Sequence, residues 1–189
     1  MKISRVLIRN FRSLEHTEFS CSDFNLFVGQ NNSGKTNIFE AIEWFYGSKA
    51  DLSEIAYLRD TSKEIVVELE FAGAQHGVAR MKNESNQTKM AKAVGKSDTI
   101  TVRRSSSDAK KRVVLVNGQE VKPGTGFDAA LNDFLPRFEY VNTKQYYDAV
   151  ARYDKKAPIG AMLSGVLATI LETNQQYQEL QAKFRDVFP

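Results

Sequence analysis

The stretch Gly29–Thr36 decides the fold, because it reads GQNNSGKT and matches the pattern G-x-x-x-x-G-K-[ST] at every fixed position. The short apolar run Leu26–Val28 comes before it and predicts a strand that ends at the loop. The residues Lys35–Tyr46 follow it, and their apolar side chains, among them Ile38 and Ile42, recur at helical spacing. A strand, a glycine-rich loop and an amphipathic helix in this order predict a phosphate-binding loop.

The residue types in this loop suit the phosphates of a nucleotide. Gly29 and Gly34 allow a tight turn in which successive backbone N–H groups point inward and surround an anion. The helix that starts here directs its N–H groups and the positive end of its dipole at the same phosphates. Lys35 is placed to reach the β- and γ-phosphates, and the Thr36 hydroxyl is placed to bind Mg²⁺. The alternative interpretation is a glycine-rich turn between strand and helix that binds no ligand.

Strands are predicted on both sides of the loop from apolar and polar alternation. They are Lys2–Phe11, His16–Ser20, Ile65–Phe71, Val78–Met81, Thr99–Arg103, Arg112–Val116 and Phe138–Val141. Asn117 and Gly118 predict a hairpin turn. The polar segment Lys82–Ser97 predicts a loop, Phe127–Leu135 a short helix, and Ile159–Phe184 a long or broken helix. Strands and helices together predict an α/β chain.

Composition narrows the class of protein further. The chain has 189 residues, 42% of them hydrophobic, and a net charge of +3, which is too mild to indicate nucleic acid by itself. Its one cysteine, Cys21, excludes an intrachain disulfide. No signal peptide and no apolar run of membrane-spanning length are visible in the sequence. We therefore expect a cytoplasmic protein with no membrane partner.

Three stretches resemble the N-terminus of ABC-type ATPases, a superfamily that includes the RecF, SMC and double-strand-break-repair ATPases. They are Ile8–Leu14, Gly29–Asn37 and Glu40–Ile42. The version Asn-Asn-Ser-Gly-Lys-Thr-Asn most resembles the OLD (overcoming lysogenization defect) ATPase-nucleases. The resemblance implies a P-loop NTPase fold of ABC type. Its N-terminal lobe would place a mixed or antiparallel sheet around the Walker A helix, followed by C-terminal helices.

The resemblance also implies a site for ATP and Mg²⁺. It places Arg12 near the nucleotide and makes Gln145 the candidate that senses Mg²⁺ and the γ-phosphate. An exposed arginine at a strand end and a solvent-facing loop glutamine are the alternatives for these two residues. The full set of predicted cofactor-binding residues is Arg12, Gly29, Gln30, Asn31, Asn32, Ser33, Gly34, Lys35, Thr36, Asn37 and Gln145. Among them Lys35 is the catalytic candidate, and Thr36 and Gln145 are the Mg²⁺ ligands.

Two elements that phosphoryl transfer needs are not found. No apolar strand ends in the acidic residue that would hold the metal, and Leu163–Val166 matches the ABC signature only in part. We therefore expect residues 1–156 to be the first half of an ABC-type ATPase domain and residues 157–189 to begin a helical dimerisation insert. In this interpretation the second half and a metal-dependent Toprim nuclease lie elsewhere in a longer protein, and these residues alone are inactive.

Two classes of function remain open. The first is the ATP-binding part of an OLD-like hydrolase that forms a homodimer and couples ATP binding and hydrolysis to DNA cleavage or processing, in antiviral defence against phage. A RecF- or SMC-like DNA-repair ATPase is the alternative within this class. The second class is a non-catalytic module that binds a nucleotide or a partner.

The segment Arg80–Arg112 is locally basic, with ten Lys and Arg against three Asp and Glu, a net charge of +7. It lies within the basic antiparallel lobe that we expect at about residues 65–121. One interpretation is a surface that contacts the DNA backbone. The other is a solvated hairpin and loop. The segment contains no aromatic residue, which argues against stacking on single-stranded bases.

Overall fold

The computed structural model describes residues 1–47, 49–108, 111–122 and 124–140, together with the single positions 163 and 174. Six strands lie in this part of the chain: β1 (Lys2–Phe11), β2 (Leu14–Ser20), β3 (Val66–Ala72), β4 (Thr99–Ser105), β5 (Arg112–Val116) and β6 (Gln119–Glu120). Five α-helices accompany them: α1 (Lys35–Phe45), α2 (Leu52–Ile55), α3 (Ala74–Ala79), α4 (Glu84–Val94) and α5 (Phe127–Phe134).

The strands form one sheet in the order β2-β1-β3-β4-β5-β6, and every neighbouring pair is antiparallel. Alternation along β3 explains why the sheet has two different faces. Val67, Leu69 and Phe71 are fully buried on the inner face, whereas Glu68 and Glu70 point to the other side. The inner face therefore supplies the sheet's part of the core.

The outer face of the sheet carries ion pairs between neighbouring strands. Arg5 of β1 lies 2.6 Å from Glu18 of β2, and Arg103 of β4 lies 2.6 Å from Glu68 of β3. Register places each pair across adjacent strands, where opposite charges are favourable. The outer face is thus a solvated surface whose charges largely neutralise one another.

Helix α1 packs on the inner face through the apolar stripe that its sequence predicts. Ile38, Ala41 and Ile42 are buried along it, and Trp44 and Phe45 are 2% and 0% exposed at its C-terminal end. The large aromatic pair makes the last turn of α1 the most deeply packed part of the helix.

Most of the predicted elements are confirmed. The long strand at the N-terminus, the strand after residue 65 and the helix after the glycine-rich loop all lie where alternation and spacing place them. Asn117 and Gly118 join β5 to β6 with φ values of 50° and 76°, as an Asn-Gly hairpin requires. Helix α5 ends at Phe134, just before Pro136, as predicted.

Two predictions between β3 and β4 are wrong. The predicted strand Val78–Met81 is instead the end of helix α3 and the turn after it, and the predicted loop Lys82–Ser97 contains helix α4. Asn83 caps α4, because its side chain accepts the N–H of Asn86 at 3.0 Å. The apolar signal for α4 is weak, since only two of its side chains are buried. Packing against α5 and α3 stabilises a helix that periodicity alone does not reveal.

Two predicted short strands are absent from the described residues. Leu26–Val28 lies in no strand, and the described part of the predicted strand Phe138–Val141, residues 138–140, is not part of the sheet. A strand needs a neighbouring backbone for its hydrogen bonds, and the described part of the chain supplies none to either segment. The predicted helix Ile159–Phe184 lies outside the described residues, apart from single positions.

The chain divides into two compact units, Met1–Phe138 and Glu139–Pro189. The first contains the sheet and all five helices named above. Of the second, only four residues are described. Within the described residues, no helix has the length and apolar character needed to cross a bilayer.

Candidate functional site

The glycine-rich loop is a tight turn that leads directly into α1. Ser33 donates its N–H to the carbonyl of Gln30 at 3.3 Å, which closes the turn. Asn32 and Gly34 have φ values of 66° and 87°, in the left-handed region. This alternation of backbone handedness turns N–H groups toward the inside of the loop, as an anion-binding nest requires.

Both glycines of the G-x-x-x-x-G-K-[ST] pattern lie close to neighbouring side chains. A Cβ on Gly29 would lie 2.9 Å from the Ser33 hydroxyl oxygen, and a Cβ on Gly34 would lie 2.9 Å from the Ser13 hydroxyl oxygen. The Cδ2 atom of Leu14 is also within 3.1 Å of the latter position. A side chain at either position would therefore displace a serine hydroxyl, and at Gly34 it would also be strained by the positive φ.

The Lys35 ammonium lies inside the loop. Its Nζ donates to the carbonyl oxygens of Gly29 and Gln30 at 2.8 and 2.6 Å, and to the Ser33 hydroxyl oxygen at 3.2 Å. These three bonds hold the positive charge of Lys35 within the loop and restrict the rotamers that its side chain can adopt. The charge is where a nucleotide phosphate would meet the loop.

The N-terminus of α1 is left open by the protein itself. Gly34 is the cap residue and makes no side-chain capping bond, and the first turn contains no acidic residue. The first intrahelical bond runs from the Ile38 N–H to the Gly34 carbonyl at 3.3 Å, so the N–H groups before it have no helical acceptor. Thr36 is exposed at this end. A phosphate would supply the missing acceptors.

The turn between β1 and β2 is attached to the first turns of α1. The Asn37 amide donates to the Ser13 hydroxyl at 2.7 Å, and Arg12 Nη1 lies 2.6 Å from Glu40 Oε2. Arg12 also donates its backbone N–H to the Ile55 carbonyl at 2.6 Å. The predicted site residues Arg12 and Asn37 are thus brought to the loop, where the structure gives each of them a protein partner.

The contact between Arg12 and Glu40 is mainly a charge–charge contact. Glu40 Oε2 is shielded from solvent, yet it accepts no bond that meets hydrogen-bond geometry. The Arg12 side chain is 41% exposed, and its φ of 48° is strained for a residue with a Cβ. A close but badly angled ion pair at a strained, half-exposed residue is weaker than its distance suggests.

Two arginines hold the other end of α1, and sequence reasoning assigned them only to a basic segment. Arg104 donates to the Trp44 carbonyl and lies with its guanidinium 4.5 Å from the centre of the Trp44 ring. Arg112 lies over the Phe45 ring at 5.9 Å. Burial lowers the pKa of both guanidinium groups below the ordinary value, and the positive charge of Arg112 adds to the effect on Arg104. The signal that could have placed Arg104 on the inner face is its two-residue spacing from the buried Val102.

The Mg²⁺ part of the predicted site is only partly within the described residues. Thr36 is at the mouth of the loop, and Gln145 lies outside the described residues. In the described part of the chain, no three His, Cys, Asp or Glu side chains form a group that could hold a metal ion. The residues present fit a metal bound through one hydroxyl, phosphate oxygens and water, which is how Mg²⁺ is commonly held beside a nucleotide.

A family model described as an AAA ATPase domain matches residues 1–185. The chain belongs to this family. The family match, the antiparallel sheet and the loop–helix unit confirm the prediction of an α/β P-loop ATPase. Membership in an ATPase family also implies that the domain binds a nucleotide, and Mg²⁺ is the usual companion of such a nucleotide.

Curated relatives confirm the predicted resemblance to OLD, RecF and SMC proteins. The ATPase domain is 29% identical over 187 residues to the Old nuclease of Escherichia phage P2, covering 93% of this chain and 31% of that protein. It is 34% identical over 93 residues to the DNA replication and repair protein RecF of Haemophilus ducreyi, covering 47% and 26%. The chain thus spans about a third or less of the length of these relatives.

Solved structures of SMC ATPases are similar at low sequence identity. One, from work on ATP-driven dimerisation and DNA-stimulated activation of SMC ATPases, is 19% identical with a TM-score of 0.46, covering 85% of this chain and 95% of that one. The SMC head domain from Thermotoga maritima is 23% identical with a TM-score of 0.39, covering 65% and 39%.

Proposed function

We propose that the ATPase domain binds Mg·ATP through the loop Gly29–Thr36. One observation carries the proposal: the Lys35 ammonium is bonded to two carbonyls of the loop, and the helix α1 that begins at this residue has an uncapped N-terminus. A fixed positive charge and unsatisfied N–H groups at one point form a binding site for polyphosphate. In this site Lys35 neutralises charge on the β- and γ-phosphates, and the loop backbone holds their oxygens.

The remaining site residues have more limited roles in this proposal. Thr36 and Gln145 bind Mg²⁺, which would supply charge neutralisation at the phosphates. Arg12 contacts the nucleotide after it separates from Glu40, and Asn37 keeps the β1–β2 turn beside the loop. The other loop residues contribute backbone N–H groups rather than side-chain chemistry.

In the whole protein, we propose that ATP binding and hydrolysis control DNA cleavage or processing by an OLD-like nuclease, in the cytoplasm and in defence against phage. The similarity to the Old nuclease covers 93% of this chain, which is the support for OLD over RecF or SMC. Two copies would enclose ATP between them as a homodimer. A RecF- or SMC-like repair ATPase is the second candidate, favoured by the RecF and Smc similarities.

An exposed apolar segment supports the proposal that more polypeptide completes the domain. Phe24, Leu26 and Val28 alternate along the segment before the loop and are 80%, 75% and 84% exposed. Phe27, between them, packs inward, edge-on to Phe19 and Phe39 at 5.2 and 5.7 Å. We propose that a strand of the second ATPase half covers the outward side, since the relatives are several times longer than this chain.

The test of nucleotide binding is calorimetric titration of the 189-residue chain with ATP and Mg²⁺. Lys35→Met should weaken binding by about tenfold to a hundredfold, because hydrogen bonds to charged groups contribute about 1.5–3 kcal/mol. Lys63→Met removes the same charge from an exposed position away from the loop and should leave the affinity unchanged. Wild-type protein that does not bind ATP, or a Lys35→Met variant that binds it equally well, would show that the proposal is wrong.

A further inference from the structure

A cavity of about 340 Å³ between α4 and the loop that precedes α5 has an unusual charge. Its ionisable lining residues are Lys89, Lys92 and Lys122, and no carboxylate lines it. The rest of the lining is apolar or is loop backbone with one threonine. Three cations therefore surround a single space with no anion of the protein in the lining.

Three other cavities of the described residues combine both signs of charge. The cavity beside β5 has three cations and three anions, the cavity beside α1 has Asp23 among its cations, and the cavity beside α3 has Asp133. Like charges around one concave space repel one another, because each raises the electrostatic energy of the others. In the cavity between α4 and the loop that precedes α5, no carboxylate offsets this repulsion, and an external anion would relieve it.

The fold places the three lysines around one space. Lys89 and Lys92 are three residues apart on α4, so they share one side of the helix. Lys89 Nζ lies against the backbone of Gly126, 3.0 Å from where a Cβ would be, which directs it toward the loop that carries Lys122. None of the three has an ion-pair partner among the described residues.

Three arginines of the same basic segment have protein partners. Arg103 pairs with Glu68 on the outer face, Arg104 binds the Trp44 carbonyl, and Arg112 donates to Asn132. The net charge of +7 in the segment is therefore not spread over one binding surface. Two lysines of the segment, Lys89 and Lys92, instead line the cavity together with Lys122, which lies beyond the segment.

We propose that the lysine pocket, formed by Lys89, Lys92 and Lys122, binds the phosphate backbone of duplex DNA. Lysine is a point charge that contacts phosphate without reading bases, and such contacts position a duplex. The one aromatic ring in the lining, Phe127, is 6% exposed, so it offers no platform for stacking on single-stranded bases. This inference rests on the DNA-processing part of the proposed function and assigns it a surface.

The experiment measures binding of a labelled duplex of about 20 base pairs by fluorescence anisotropy, from about 50 to 200 mM salt. The test variant carries Lys89→Gln, Lys92→Gln and Lys122→Gln. The matched control carries Lys49→Gln, Lys63→Gln and Lys111→Gln, three exposed lysines outside the pocket, and so has the same net charge.

We expect the test variant to bind the duplex more weakly and to lower the slope of log affinity against log salt by about 2.7, or about 0.9 for each lysine. The control should keep a slope close to that of the wild type. Circular dichroism and ATP titration of the test variant should match the wild type, because the three lysines are exposed or partly exposed and do not contact the glycine-rich loop.

Three results would overturn the inference. Equal losses in both triple variants would show a general charge effect, and an unchanged test variant would place the duplex elsewhere. Binding of inorganic pyrophosphate in the pocket without duplex binding would assign it to a small anion. A test variant that loses duplex binding but still binds ATP leaves the proposal of ATP binding unaffected. A wild-type protein that binds the duplex but not ATP would contradict the proposal of ATP binding and leave the proposed DNA-binding pocket unaffected.

Discussion

The two ends of α1 are held in different ways. At the C-terminal end, Trp44 and Phe45 are buried and arginine side chains cover both rings. At the N-terminal end, the contacts are polar and partly exposed, from the Lys35 ammonium and from the Arg12 ion pair. The C-terminal end therefore fixes the helix in the core. The N-terminal end carries charged groups that could rearrange to contact a phosphate without disturbing core packing.

The largest effect should come from the buried end. Phe45→Ala should lower the free energy of unfolding by about 3–5 kcal/mol, because it removes a fully buried ring from the core. Urea denaturation measures the change. Phe24→Ala removes the same atoms from a side chain that is 80% exposed and should have little effect on stability. Similar losses in both variants would contradict the view that the C-terminal end of α1 is its anchor.

A glycine variant tests the tight approach at the N-terminal end. Gly34→Ala should destabilise the chain by about 1–3 kcal/mol and weaken ATP binding, because it combines a positive φ with a clash against Ser13. Gly118→Ala is the control, since Gly118 has a φ of 76° but nothing within 4 Å of a new Cβ. Thermal unfolding and ATP titration should show a larger loss for Gly34→Ala, with ATP binding affected only there. Equal losses of stability in the two variants would mean that backbone strain at positive φ causes the loss, and that the contact between Gly34 and the β1–β2 turn does not contribute.

The smallest effects separate the two arginines. Arg104→Met should cost about 1–2 kcal/mol of stability through the lost cation–π and carbonyl contacts, with ATP affinity unchanged. Arg12→Met should cost about 0–1 kcal/mol, because its ion pair is partly exposed, but should weaken ATP binding. Denaturant titration measures the free energy of unfolding of each variant, and calorimetry measures its affinity for ATP. The reverse pattern would show that Arg12 is structural and that Arg104 supports the site.

Local chemistry made the glycine-rich loop and α1 predictable. A loop of this type needs glycine where φ is positive and lysine where a phosphate arrives, so Gly34 and Lys35 report the site from sequence alone. Strand β3 was predictable for a similar reason, since alternation of Val67, Leu69 and Phe71 with two glutamates records which face is buried.

Helix α4 and the segment before the loop were predicted wrongly because their state depends on neighbours. Only Met90 and Val94 of α4 are buried, too few to show helical spacing over eleven residues. Leu26 and Val28 have strand-like residues, but no neighbouring backbone in the described residues pairs with them. Short segments carry too little free energy of their own to decide between a helix, a strand and a loop.

The sequence by itself determined the phosphate-binding loop, the helix after it and the alternation of the main strands, because each follows from the backbone and side-chain properties of adjacent residues. Only the tertiary structure decided which basic residues are available. Arg104 and Lys92 belong to the same basic segment, yet one covers Trp44 in the core and the other lines an exposed pocket. That difference depends on which faces of β4 and α4 pack against the rest of the chain. The distribution of charged residues along the sequence does not reveal which faces these are.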